Sequence, residues 1–550
     1  MLKKLKKLDC WLDKVAPILA LLLLVLFLRI PNLFEPYWYG DEGIYLTIGN
    51  ALKKGVPLYQ GIIDHKTPLI YYFAMVPNQL WFRVLNIAWS GASVLLFFFL
   101  ANRIIRNIKI VYFVSFLFTL LISTPILEGN IPNGELFVMG FILLGGLFFV
   151  SNFISEFVSD ESEKIHRHVC QIWFLPKISK NLGKTGCPLL YFFSGLMFGL
   201  AILTKVPAIF DVAAILSLAW FTVFYDVDFK KFSVNKLLTN LQKIMVKLFI
   251  VFGGIMTPII GSVIYYYLRG NGQSYLDFGL LYNFRYVQNW SLPFDAPWLL
   301  AAFTLQGKFV IALVLILLLT YLGKRVSLRF KLVASWLILS LFASTLSNRP
   351  YPHYYLQVVP AAVLVFGFIV EEVVKIFGKG KDKKRFNKFD VGLGSLFLGL
   401  TAGVFILLNV GFYPTLSYYT RFYGYITKQI SREDYYQSFD NLMTDNYNAA
   451  QIIQKSDSPY LFIWGTNPML YAQTKKIPTG RFIVSFHVRD FDAYEETFDD
   501  FVAKKPMFVV TMNNVEPIEG LEEYLALEYM PNYDFDNFVL WKRIGNDQEN

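Results

Sequence analysis

Residues 15–42 read VAPILALLLLVLFLRIPNLFEPYWYGDE. Everything from Val15 to Leu28 is apolar or proline, and the first charge is Arg29, with Pro31 just beyond. A head carrying Lys3, Lys4, Lys6, Lys7 and Lys14 precedes this run. Basic flanks stay on the cytoplasmic side of a membrane. No small-residue cleavage site follows the run, so it reads as a retained first span rather than a signal peptide. Gly40 then breaks the chain, and Asp41 and Glu42 emerge on the far, outer side. The orientation of every later segment follows from this first crossing.

The composition agrees with a polytopic membrane protein. Of 550 residues, 55% are hydrophobic and 17% charged, and the mean hydropathy is +0.43. Average soluble domains carry about 25% charged residues. Disorder is excluded, and a purely soluble enzyme is disfavoured. The 33 Tyr and 11 Trp suit interfacial belts. A net charge of +10 is explained by loop bias, and no nucleic-acid recognition motif accompanies it. Three cysteines, Cys10, Cys170 and Cys187, do not make a disulfide scaffold.

Apolar windows fall at 15–30, 84–101, 110–126, 135–154, 190–204, 207–225, 248–268, 308–322, 332–347, 354–374 and 390–412, predicting about eleven spans. The count satisfies the positive-inside rule. Alternate connections hold Arg103, Arg106 and Lys109; Lys164 to Lys184; Lys230 to Lys247; Lys324 to Lys331; and the run from Lys375 to Lys388. Between them, residues 127–134 hold no base and residues 348–353 only Arg349. Loops 31–83 and 269–307 and the tail 413–550 are therefore expected outside. His166, His168, Cys170 and Cys187 match no standard zinc spacing, so no metal is expected there. Asn289-Trp290-Ser291 fits a glycosylation acceptor pattern, read as idle.

In the tail, residues 460–464, 507–511 and 538–543 read as strands and 491–504 as a short acidic helix. This predicts a small extracytoplasmic α/β domain over 413–550, beside a catalytic membrane domain over 1–412.

The first outer loop, 31–83, carries the chemistry. Its residues 37–73 are YWYGDEGIYLTIGNALKKGVPLYQGIIDHKTPLIYYF. Ile44, Ile48, Ala51 and Leu52 share one helical face, and Gly55 is a plausible stop. Asp41 thus falls near the N-cap of an amphipathic helix expected to lie along the outer membrane surface, where capping and catalysis are both open to it. Next comes Asp64-His65-Lys66-Thr67-Pro68. Pro68 disfavours helix at Thr67 and presents Lys66 on an extended turn. A compact lysine cation suits a phosphate oxygen, though it equally suits snorkelling to headgroups. His65 alone reads as a loop residue. Glu135 opens the fourth span. Arg349, Tyr351, His353, Tyr354 and Tyr355 crowd one short outer turn, and Lys205 sits between two apolar windows. Ionisable residues so placed are functional by default.

These motifs resemble the GT-C membrane glycosyltransferases. The resemblance lies in the Asp41-Glu42 pair after the first span, Asp64-x-Lys66-x-Pro68-Leu69, the acid at Glu135, Leu203-Thr204-Lys205-x-Pro207 and His353-Tyr354-Tyr355-Leu356. It is nearest to the bacterial relatives of protein O-mannosyltransferases and of the lipid A aminoarabinose transferase, and spans roughly residues 15–375. Trp464-Gly465 and Pro478-x-x-Arg481-Phe482 resemble the small C-terminal domain of such members.

The resemblance implies an inverting transfer of a sugar from a polyprenyl-phosphate carrier to an acceptor hydroxyl on the outer face of the plasma (inner) membrane, with no cofactor required. The acceptor, whether protein, lipid or glycan, is not specified. Asp41 is then the base and Glu42 supports it, raising its basicity by repulsion. Lys66, Lys205 and Arg349 hold the donor phosphate. Asp64, His65, Glu135, Tyr351, His353 and Tyr354 contact substrate. His65 stands where some relatives carry an acid, so a metal site built on that acid is not expected here. Two other functions compete: a transporter or flippase of lipid-linked sugars, and a polymerase or ligase using a pyrophosphate-linked donor.

Overall fold

A computed structural model of the chain describes residues 2–157, 187–225, 234–283, 291–377, 387–513 and 515–545. The candidate zinc residues His166, His168 and Cys170, the basic positions between 164 and 184, Lys230, Lys231 and Asn289 lie outside the described residues.

Each of the eleven apolar windows is occupied by a helix. These are Leu2–Arg29, Gln79–Ile104, Ile108–Ser123, Gly134–Phe157, Pro188–Thr204, Ala208–Phe224, Val234–Leu268, Leu305–Tyr321, Leu328–Ser344, Val359–Phe377 and Lys388–Leu407. Five of the described helices are long and apolar enough to cross a membrane, or six if the bent pair Pro297–Phe303 and Leu305–Tyr321 makes one span. Several others are shorter than a full crossing, so a count of eleven spans is not established. The 76° bend falls at Thr304, whose hydroxyl accepts from the Gly307 amide and starts a new helix. The outer surface of Ile244–Leu268 exposes Phe249, Phe252, Ile264 and Leu268. An apolar face of this size is stable only under lipid, and the chain is a multi-pass helical membrane protein.

Close helix contact is made through glycine. In Pro188–Thr204, a Cβ on Gly195 would overlap the carbonyl oxygen of Val251, and one on Gly199 that of Ile255. Reciprocally, a Cβ on Gly254 would meet the Phe192 carbonyl. With no hydrophobic drive between helices in lipid, such backbone-to-backbone packing supplies the attraction.

The bundle has two distinct ends. At one, Glu371 accepts from the Arg106 and Asn107 amides, and Asn387 donates to the Arg325 carbonyl, so three of the basic connections meet there. At the other end lie the loop after Arg29, the 125–133 turn, the 205–207 break and the 348–357 turn, with the C-terminal domain packed on them.

That domain contains a five-stranded sheet in the order β2-β1-β3-β5-β4. The strands are β1 Tyr460–Trp464, β2 Ile477–Pro478, β3 Phe508–Met512, β4 Tyr529–Asp534 and β5 Phe538–Arg543. β1 runs parallel to β2 and β3, and β5 is antiparallel to β3 and β4. The acidic helix falls at Tyr494–Lys504, where Phe501 stacks on Phe462 of β1 at 4.5 Å. The two short or edge strands β2 and β4 carry weak β patterns and are not evident from sequence.

One expectation is corrected. The helix after Gly40 does form, over Gly40–Lys53, and ends at Gly55 with φ +84°. It does not present one open polar face, as an amphipathic surface helix would. Residues Glu42 to Gly49 are all buried. Gly43 lets the Pro468–Thr474 helix of the C-terminal domain approach on one side: a Cβ there would be 2.9 Å from the Met469 amide. Gly49 lets the backbone at Ala74 approach on another. Both faces are covered because glycine punctuates them.

Gly195→Val is expected to lower the thermal midpoint of the detergent-purified protein, the overpacking costing about 1–3 kcal/mol. Gly253→Ala faces open space and should move stability by less than about 0.5 kcal/mol. Equal midpoints for both variants would show that the two helices do not meet along this seam.

Candidate active site

Asp41 occupies the first turn of Gly40–Lys53. Tyr39 precedes the helix with no side-chain cap, so Asp41 is not the N-cap residue. Its carboxylate accepts from the Tyr45 hydroxyl one turn on, at 3.1 Å, and 28% of the side chain is exposed. The helix N-terminus favours its charge.

Lys66 lies 3.4 Å from Asp41 Oδ2 and 3.5 Å from Asp64 Oδ2, with its ammonium 5.0 Å above the Tyr45 ring. The extended turn expected before Pro68 is held from three sides. The Tyr59 hydroxyl donates to the Lys66 carbonyl at 2.8 Å, the Lys66 amide donates to the Tyr71 hydroxyl, and the Thr67 hydroxyl donates to the Ile202 carbonyl. Asp64 is fully buried and accepts from the Tyr71 hydroxyl at 2.9 Å. Burial alone raises the Asp41 carboxyl. The charges of Lys66, then His353 and His65, outweigh it and hold the group below the ordinary carboxylate range. Asp64 is driven further down, again by Lys66 and His65 against burial.

A second group abuts the first. Glu135, in the first turn of Gly134–Phe157, forms an ion pair with Lys205. Lys205 ends Pro188–Thr204 in an extended conformation (φ −160°), and its ammonium sits 4.3 Å over the Tyr354 ring. His353 Nδ1 contacts Glu128 Oε2 at 2.6 Å, and the Tyr39 hydroxyl meets both, at 2.7 Å from Glu128 and 2.9 Å from His353. Tyr351 stacks on His353 with ring centroids 5.8 Å apart. Burial lowers the His353 imidazole. The bond to Glu128 and the charges of Glu135, Glu128 and Asp41 outweigh it and raise the imidazole above its ordinary value. Asp41 and His353 thus feel each other's charge. Arg349 follows Asn348, which adopts φ +55°, and is half-buried in the turn that leads to His353.

One assignment changes. Glu42 is turned away from Asp41. Its carboxylate takes a two-point ion pair from Arg83, with Nε to Oε1 at 2.9 Å and Nη2 to Oε2 at 2.7 Å, and a hydrogen bond from Gln79. Arg83 also donates to the carbonyls of Asn32, Glu35 and Pro36. Glu42 therefore fastens the helix to the loop before it. Repulsion between Glu42 and Asp41 is neutralised by the guanidinium and is not a source of basicity.

Sequence reading missed four participants. Glu128 stands in a left-handed turn (φ +55°) directly after an apolar stretch, where its acid looked like an ordinary loop residue. Tyr39 looked like one belt tyrosine among many. Glu35 binds Asn32, Trp38, Asn130 and Tyr418, knitting the loop to the C-terminal region. His487 belongs to the C-terminal domain yet places Nε2 3.6 Å from Asp64 Oδ1. Asp64, His65 and His487 form a group whose ligand atoms all lie within 4.8 Å of one another. Burial pushes His487 down to about 3, leaving its imidazole neutral.

No family model matches the chain, and no curated protein matches it. Solved structures do. The archaeal oligosaccharyltransferase AglB from Archaeoglobus fulgidus, in complex with an inhibitory peptide and a dolichol-phosphate, aligns over 98% of this chain and 75% of its own, at 12% identity and TM-score 0.42. The same organism's oligosaccharyltransferase in the apo form gives 14% identity and TM-score 0.41 over the same shares. ArnT from Cupriavidus metallidurans in the apo state gives 12% identity and TM-score 0.48 over 96% of this chain and 98% of its own. With TM-scores below 0.5, these neighbours carry no argument about chemistry, which rests on the side chains above.

A raised imidazole stabilises the fold fully below its unfolded pKa of about 6.5 and loses that contribution as pH rises through the folded value. The thermal midpoint of wild type minus that of His353→Gln should accordingly be largest below pH 6.5 and shrink toward alkaline pH. A difference that grows with pH would contradict the Glu128 pairing.

Proposed function

We propose that the chain is an inverting glycosyltransferase that takes a sugar from a polyprenyl-phosphate carrier and gives it to an acceptor hydroxyl, at the extracytoplasmic end of the bundle. The observation that carries this reading is the partly exposed Asp41 carboxylate, kept ionised by a buried Lys66 3.4 Å away, beside a second ammonium at Lys205. A base and two cations at one bundle end match the needs of displacement from a lipid phosphate.

The acceptor oxygen attacks the anomeric carbon and passes its proton to Asp41. The bond between that carbon and the phosphate oxygen breaks, and polyprenyl phosphate departs with the electron pair. General-base assistance of this kind is worth about 10²–10⁴-fold. The departing phosphate gathers charge, and cations fixed in advance stabilise it. An ammonium has three donors. Glu135 occupies one of those on Lys205, which leaves capacity for phosphate oxygens. Arg349, in the 348–352 turn that leads to His353, is the candidate for a further cation. A phosphate that draws Lys66 toward itself also weakens that lysine's hold on Asp41. The carboxylate then becomes more basic when the donor is in place.

Asp64 and Tyr71 act behind Lys66 by fixing its position. Glu128 and Tyr39 do the same for His353, which with Tyr351 and Tyr354 forms an aromatic wall suited to a sugar face. Glu42 holds the catalytic helix through Arg83 and takes no part in proton transfer.

Asp41→Asn should leave expression and thermal midpoint close to wild type while transfer from a radiolabelled polyprenyl-phosphate sugar falls at least about 10²-fold. The measurement is covalent product formed by the purified protein in detergent. Full transfer by Asp41→Asn removes the base. Release of the labelled lipid across a vesicle without covalent product would favour transport instead.

A further inference from the structure

The C-terminal domain reaches the candidate active site at one side chain, and that side chain is incompletely satisfied. His487 sits in the short Ser485–Asp490 helix and is 2% exposed. Among the described residues, neither of its ring nitrogens has a hydrogen-bond partner. Asp64 Oδ1, which it faces at 3.6 Å, is buried and turns to His65 Nδ1 at 2.8 Å. Leaving a buried polar atom unmet costs about 1–3 kcal/mol. A buried imidazole whose Nε2 faces a carboxylate at 3.6 Å with no hydrogen bond made, in a group of three ligand side chains, has room for something between them.

We propose that Asp64, His65 and His487 bind one divalent transition-metal ion of the zinc type, and that the ion clamps the C-terminal domain onto the loop carrying Lys66. Two imidazoles and a carboxylate are a donor set that zinc takes, at about 2.0–2.2 Å per bond, which separates tetrahedral ligand atoms by roughly 3.3 Å. The distances from Asp64 Oδ1, 2.8 Å to His65 Nδ1 and 3.6 Å to His487 Nε2, bracket that value.

The charges also accommodate an ion. Asp41 and Asp64 carry two negative charges against the single positive charge of Lys66, so the neighbourhood has one negative charge in excess. Asp64 is divided between two tasks. Oδ2 takes the Tyr71 hydroxyl and faces Lys66, while Oδ1 turns to the two histidines. The ion would therefore lie behind Asp64, away from Lys66. It positions Asp64, and through it Lys66. His65 is held from behind: its carbonyl accepts from Asn283 at 3.1 Å.

The full-length protein, purified in detergent and equilibrated with Zn²⁺, should retain about one equivalent after gel filtration, measured by elemental analysis. His487→Gln and His65→Gln should each retain at least tenfold less at the same free Zn²⁺. EDTA should lower the thermal midpoint of wild type, and restored Zn²⁺ should recover it, with neither treatment moving His487→Gln. If that variant does not fold, Co²⁺ added to wild type should give the visible absorption of a four-coordinate nitrogen and oxygen site, bleached by excess Zn²⁺. Equal metal in wild type and both variants would mean an adventitious ion only. That result, or a wild-type midpoint indifferent to EDTA and Zn²⁺, overturns the proposal. Each readout is independent of sugar transfer, so failure here and failure of the glycosyltransferase reading are separable.

Discussion

The ammonium of Lys66 is the contact on which the rest of the site depends. It lies between the carboxylates of Asp41 and Asp64, and these belong to segments with different supports. Asp41 rides on a helix pinned by Arg83, while Asp64 is clasped by Tyr71 and approached by His487. A buried carboxylate with no cation is costly, because desolvation of a charge exceeds most single favourable contacts. Removing Lys66 would leave Asp64 fully buried, and Asp41 partly exposed, without that cation. The lysine thus ties two independently anchored pieces of chain into one register, and the geometry of the base follows from that register.

The Glu42–Arg83 pair explains why the helix bearing Asp41 is stiff enough to matter. Arg83 satisfies a carboxylate and three carbonyls of the preceding loop at once. A planar guanidinium is suited to such forked contact, and a lysine is not. Two adjacent acids, alike in sequence, consequently take opposite tasks. Glu42 is the more buried and fully matched, and it serves the scaffold. Asp41 keeps an exposed edge and a cation at ion-pair distance, which suits it to the role of base proposed for it.

Much of this was legible in the sequence because it rests on local signals. Apolar runs place a helix in every window, and the Asp41 to Lys66 segment reads as helix, stop and rigid turn from Gly55 and Pro68. The shared sidedness of Glu135, Lys205 and His353 follows from counting spans against basic loops. What escaped has no local signal. Glu42 and Asp41 cannot be told apart until Arg83 is brought in. Glu128 depends on a left-handed turn, and His487 on a domain folded from residues far downstream. The burial of Gly40–Lys53 was hidden for a related reason. Its apolar spacing describes one face, whereas Gly43 and Gly49 admit neighbours on others.

A site built from matched charges suits a reaction in which charge moves but is not created. Before a donor arrives, the four carboxylates of Asp41, Asp64, Glu128 and Glu135 face the three cations Lys66, Lys205 and His353, so the group has one negative charge in excess. An anionic headgroup entering such a site does not meet a strongly positive funnel; it competes with carboxylates already in place. In the proposed transfer, the cost of that competition is recovered when the carbon–oxygen bond breaks, because the leaving phosphate then carries more charge than it brought. Preorganised cations favour that later state over the earlier one, which is the condition for acceleration rather than mere binding. A cluster of unpaired lysines would hold the donor more tightly and gain less at the barrier.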